Sequence, residues 1–100
     1  MKSKKAKAFV QIENNLVRIT KYLFLPGEET GIHKHELDYI VTPITDGEIL
    51  LIDNVGNKNF STLKSSESYF RKAGVEHNVI NYGIHELIFV EIELKNKDKL

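Results

Sequence analysis

Apolar and polar residues alternate along this chain with a period near two, and each alternating run ends at a turn signal. Ala8-Phe9-Val10-Gln11-Ile12-Glu13 alternates and stops at Asn14-Asn15, and Leu16 to Leu25 forms a longer run closed by Pro26-Gly27. Ile40-Val41-Thr42 and Ile49-Leu50-Leu51-Ile52 flank a turn at Thr45-Asp46-Gly47. Further breaks fall at Asp53 to Asn59, Lys72-Ala73-Gly74 and Asn81-Tyr82-Gly83, ahead of a last run from Glu86 to Leu94. Successive side chains of a strand point to opposite faces, so these runs predict β-strands with Asn, Asp, Gly and Pro marking the turns between them. No stretch sustains the 3.6-residue apolar period of a helix. The expected fold is all-β, with antiparallel strands closing into a sandwich or barrel.

Composition narrows the function. The 14 basic and 14 acidic residues cancel, so no global field attracts nucleic acid, and no basic stripe is interleaved with aromatics. No apolar run approaches the ~20 residues that span a bilayer. The start, Met1-Lys2-Ser3-Lys4-Lys5-Ala6-Lys7, is basic but lacks the apolar stretch of a secretion signal. A soluble cytoplasmic protein with no membrane contact is expected. There is no cysteine, so disulfides and thiolate ligands are excluded. One domain is expected over residues 8–94, between a basic flexible tail at 1–7 and a polar tail at 95–100. The lysines of both ends are read as solvated charge.

The candidate chemistry lies in four histidines, of which three form a pattern. His33 and His35 are two positions apart, and on a strand such residues face the same way about 6.6 Å apart along the backbone. His77, in Gly74-Val75-Glu76-His77, can join them from a neighbouring strand. Three neutral imidazoles suit a divalent zinc, iron, copper or nickel ion and leave positions open for water or substrate, which is the arrangement of a reactive site rather than a structural one. Taken singly, a buried histidine is more often a hydrogen-bonded core residue than a ligand. His85 follows the Asn81-Tyr82-Gly83 turn outside this pattern and is expected on the surface.

Gly27-x5-His33-x-His35-x11-Gly47 and Gly74-x2-His77-x3-Asn81 resemble the two signature motifs of the cupin superfamily, and the match covers nearly the whole chain. The phrases around them look most like a branch of small bacterial single-domain cupins associated with β-alanine catabolism. The resemblance implies a jelly roll, or double-stranded β-helix, and one divalent metal ion per chain held by His33, His35 and His77. Iron(II) is the first choice, with Zn2+, Ni2+, Mn2+ or Cu2+ as others. Two departures stand out. Cupins usually carry a metal-binding glutamate four or five residues after the second histidine, where this chain has Tyr39 and Ile40. Glu36 and Asp38 lie nearby, but at offsets that reach the ion only if a bulge re-registers the strand. Lys72 also stands where the family commonly has proline.

Loss of the carboxylate leaves the ion's charge uncompensated, so a small anionic ligand is the expected partner. Tyr39 sits where the family's glutamate belongs and is the candidate catalytic side chain, as a hydrogen-bond donor to substrate, although packing in the core is the alternative. Arg71 can clamp a substrate carboxylate through its planar fork or form a rim ion pair. Tyr22 lies on a strand face, with Arg18, Thr20 and Phe24, that is open to line a pocket, and Asn81 is expected to close a turn. Together with the resemblance, these residues suggest an iron(II)-type dioxygenase acting on a small anionic molecule, with lyase or isomerase chemistry as variants. The alternative is a non-catalytic binding or sensor cupin with the same pocket. A homodimer is expected, because the strand at Ala8 to Glu13 offers an unpaired edge.

Overall fold

The computed structural model describes residues 4–95; residues 1–3 and 96–100, the outer parts of the two expected tails, lie outside the described residues. The described residues contain nine strands and no helix: β1 (Lys7–Glu13), β2 (Val17–Phe24), β3 (His33–Lys34), β4 (Asp38–Pro43), β5 (Gly47–Asp53), β6 (Lys58–Leu63), β7 (Tyr69–Arg71), β8 (Glu76–Asn81) and β9 (Leu87–Leu94). They form a five-stranded sheet in the order β1-β2-β9-β4-β7 and a four-stranded sheet in the order β3-β8-β5-β6. Every strand pair is antiparallel. This is the jelly roll that the turn spacing and the motifs predict. No helix among the described residues is long and apolar enough to cross a membrane.

The turns are built by the residues that signalled them. The Asn14 side-chain oxygen accepts from the backbone N–H groups of Leu16 and Val17 at 2.8 and 3.0 Å, which closes the β1–β2 hairpin. The Asp53 carboxylate does the same for Val55 and Asn57. Gly47 matters for a different reason: a Cβ there would lie 2.7 Å from Cδ1 of the buried Leu87, so any side chain at the start of β5 would have to displace Leu87. Pairing at the N-terminal end begins inside the expected tail, where Lys5 bridges to Glu29.

Alternation then sorts each strand. Phe24, Tyr39, Val41, Leu87 and Phe89 from the five-stranded sheet meet Ile49, Leu63 and Val79 from the other in a single buried cluster. Phe24 and Phe89 pack within it and the partly buried Tyr22 packs against them, with the Phe24–Phe89 and Tyr22–Phe89 centroids both 5.4 Å apart. The outer faces of the two sheets differ. Alternation places Ile19, Lys21 and Leu23 of β2, Asp38, Ile40 and Thr42 of β4, and Ile88, Val90, Ile92 and Leu94 of β9 on the outside of the five-stranded sheet, where all are only partly buried and the apolar residues predominate. The outside of the four-stranded sheet mixes Glu48, Lys58, Thr62, Glu76 and Asn78 with its apolar residues.

Candidate metal centre

His33 and His77 are direct cross-strand partners in the β3–β8 ladder, which places their side chains side by side on the inner face. The regular strand ends at Lys34, one residue short of the two-histidine strand that the spacing predicts. His35 nevertheless stays in register, because its N–H donates to Val75 O and its carbonyl accepts from Gly74 N–H, both at 2.8 Å. The three rings therefore converge. Their centroids lie 4.7, 4.9 and 5.2 Å apart in edge-to-face arrangements, and one nitrogen of each lies within 4.8 Å of the others.

These residues fit a metal ion by three observations. His33 Nδ1 lies 2.9 Å from Gly31 O, a contact that requires the proton on Nδ1 and leaves the Nε2 lone pair free. Gly31 is in turn held by Asn78, whose Oδ1 accepts its N–H at 2.9 Å while its Nδ2 donates to Glu29 at 2.7 Å. Second, His33 Nε2 and His35 Nε2 are 3.0 Å apart; with bonds of ~2.1 Å, that separation corresponds to an angle of about 90° at a shared ion. Third, His35 is 4% exposed, and burial, with His33 adding to it, pushes its pKa down to about 4. Burial and then His33, His35 and Arg71 push His77 down to about 4 as well. Both rings are neutral at pH 7, with lone pairs available to a cation.

Tyr39 is 2% exposed and stacks on His35, with centroids 3.9 Å apart and planes 17° from parallel. Burial, then Glu91 and Tyr69, raise its pKa well above the ordinary phenol value. Its hydroxyl thus stays protonated as a donor. Tyr39, Tyr69, Arg71, His77, Phe89 and Glu91 are among the residues lining a cavity of about 50 Å³. The Arg71 guanidinium lies over the Tyr69 ring, 4.6 Å from its centroid, and forms no ion pair among the described residues. Tyr22 does not share this cavity. It packs on Phe24 and Phe89 and borders a separate groove with His33, and burial, then Glu91 and Glu93, push its pKa up to about 12.

The carboxylates offered by the sequence do not reach the cluster. Glu36 is exposed, and Asp38 Oδ1 accepts the Ala73 N–H at 2.8 Å, so it holds the β7–β8 turn instead. His85 is exposed, as its position outside the motifs predicts. Asn81 donates to Phe24 O and His85 O and accepts from Gly83 N–H, closing its turn.

Two acidic residues overlooked in the linear motifs stand beside the histidines: Glu91 and Glu93 of β9 form a second group with His35, their ligand atoms all within 4.8 Å of one another. Glu93 accepts from Arg18 Nε at 2.7 Å. Burial, then Glu93, push the Glu91 pKa up to about 7, with Arg18 acting in the opposite sense. The available signal was their place in the alternation: both continue the inward row of Leu87 and Phe89, where charge is out of keeping.

No family model matches the chain. It is 51% identical over 86 residues to the β-alanine degradation protein BauB of Pseudomonas aeruginosa, covering 86% of this chain and 90% of that protein. A solved cupin domain from Bordetella pertussis superposes with a TM-score of 0.89 at 48% identity, over 95% of this chain and 98% of that one. An RmlC-like cupin with a double-stranded β-helix fold from Methanocaldococcus jannaschii shares the architecture at 16% identity, with a TM-score of 0.76 over 97% of this chain and 86% of that one.

Proposed function

Because this chain belongs to the cupin superfamily, we propose that His33, His35 and His77 hold one divalent metal ion and that the protein acts on a small anionic organic molecule beside it. The convergence of the three rings, with the His33 tautomer set by Gly31 O, carries this reading. When bound, iron(II) supplies redox chemistry with dioxygen, whereas zinc supplies Lewis acidity alone. The residues supply the rest. Arg71 offers a planar fork to a substrate carboxylate, Tyr39 stacks on the His35 ring and keeps a donor hydroxyl near it, and the small cavity between them has both charged and apolar walls. Tyr22 supports the far side by packing on Phe89 and bordering the groove at His33. A relative named for β-alanine degradation supports a short carboxylic acid as the ligand class.

The test is to load metal-free protein anaerobically with iron(II) and to follow oxygen uptake with small carboxylates, thiols and 1,3-diketones. Oxygen consumption matched by product supports a dioxygenase; tight ligand binding without turnover supports a binding or sensor role at the same pocket. If His33→Ala and His77→Ala hold as much metal as wild type, the site assignment is wrong.

We also propose that a second copy covers the apolar outer face of the five-stranded sheet. The five strands are three to eight residues long; at ~3.3 Å per residue and ~4.8 Å spacing they present roughly 500 Å², below the ~800 Å² per partner of a standard interface, which places this contact among the smaller, weaker ones. Phe9 and Ile12 extend that face onto the edge strand β1 and are 50% and 48% exposed. A monomeric mass by light scattering at micromolar concentration would contradict this assembly.

A further inference from the structure

One buried group at the site has no partner in the fold. The Glu91 side chain is 9% exposed, lines the same cavity as His77, Tyr39 and Arg71, and receives no hydrogen bond from any described residue. Its Oε2 lies 4.0 Å from His35 Nε2, beyond hydrogen-bond reach. Glu93, one alternation further along β9, is satisfied by Arg18. Glu91 groups with His35 and Glu93 and not with His33 and His77, so it adjoins the candidate coordination site. No completely sealed side-chain N or O atom among the described residues lacks a partner, so the Glu91 oxygens satisfy their hydrogen-bonding need through the cavity they face and not within the fold. A group that is left unpartnered, yet faces a cavity, is complementary to a donor that arrives with the ligand.

Register fixes what else that ligand meets. Tyr39 pairs with Arg71 on one side and Glu93 on the other, and the next inward residue, Val41, pairs with Tyr69 and Glu91. Arg71 and Glu91 therefore flank the Tyr39–Val41 segment from neighbouring strands. They line one small cavity with opposite charges and form no ion pair with each other among the described residues. Such a slot suits a molecule with two different ends.

Resting on the metal-site reading above, we propose that Glu91 is the hydrogen-bond acceptor for a protic group of the ligand, and that the ligand is a short carboxylic acid bearing an O–H, N–H or S–H function. Arg71 takes the carboxylate, and Glu91 takes the donor. The cavity of about 50 Å³ keeps the molecule to a few heavy atoms.

The experiment uses full-length protein loaded with cobalt(II) and two probes of equal charge, 3-hydroxypropionate and 3-methoxypropionate, which differ in possession of the donor. Wild type should bind the hydroxy acid at least tenfold more tightly. Glu91→Leu, close in shape and unable to accept, should bring the two probes within twofold of each other when compared at saturating cobalt. Glu91→Gln, a neutral isostere, should shrink the preference under the same conditions, and it guards against misfolding of the leucine variant. A preference that survives in Glu91→Leu would reflect the bulk of the methyl group and overturn the proposal, as would equal binding of both probes by wild type. Loss of cobalt in either Glu91 variant would make Glu91 a metal ligand and overturn it too. Failure of wild type to hold cobalt at all would instead refute the metal-site reading, and the titration reads that separately.

Discussion

Replacing Glu91 by glutamine should make the fold more stable at alkaline pH, by an amount that grows with pH. The carboxyl rises from an ordinary 4.5 to about 7 because burial disfavours its charged form. At ~1.36 kcal/mol for each pH unit, keeping it ionised costs the native state up to ~3 kcal/mol. The sign follows from proton counting. Between pH 4.5 and 7 the folded carboxyl holds a proton that the unfolded one has lost, so the stability it contributes is complete below 4.5 and is lost as pH rises through 7. Glutamine has no such loss. Its own buried amide brings a penalty, but one that does not vary with pH. Urea unfolding of metal-stripped wild type and Glu91→Gln, at matched protein concentration, should therefore give a stability difference that shifts by ~2 kcal/mol in favour of the variant between pH 5 and pH 8, or ~1 M in midpoint. His35 and His77 titrate in both proteins and cancel. Parallel pH curves would refute the reasoning and show that Glu91 is better solvated than its burial implies.

Three further outcomes follow from the same geometry. Leu87, fully buried under Gly47 and packed in the core cluster, should cost ~2–5 kcal/mol on truncation to alanine, read as a lowered urea midpoint. Because His35 and His77 are pushed from 6.5 down to about 4, protons compete weakly for their lone pairs. Metal retention after dialysis at stepped pH should therefore persist below the range where free imidazole protonates and fail between about pH 5 and 4; loss centred near 6.5 would contradict the burial argument. Ile92→Lys, on the outer face of β9, should convert a dimeric mass into a monomeric one in light scattering while the far-UV spectrum is retained.

The strands most visible in the sequence are those with one face in the core for six residues or more. β2 and β9, which pair residue for residue from Val17–Leu94 to Phe24–Leu87, show as long runs bounded by turn residues, although neither face of β2 is cleanly apolar. β7, with three residues, is too short to show a period. β6 is mostly exposed, so Lys58-Asn59-Phe60-Ser61-Thr62-Leu63 merges with the turn before it. The histidine trio was legible because two of its members are sequence neighbours and the third has its own motif. Tyr39, marked by its position after His35, stacks on that ring.

Glu91 was hidden for a topological reason. A sequence motif registers what one strand contributes, whereas a site on the inner face of a sheet is filled by whichever neighbouring strand has a side chain at that height. β9 lies between β2 and β4, although some fifty residues separate it from β4 in the chain. That strand order sets Glu93 against Tyr39 and Glu91 against Val41. The absence of a carboxylate at position 39 therefore does not leave the cavity without acid; it moves the acid one strand across and away from the coordination site. On the proposed reading, Glu91 is then the acid that meets the ligand, while the three histidines hold the ion without a carboxylate from their own motif.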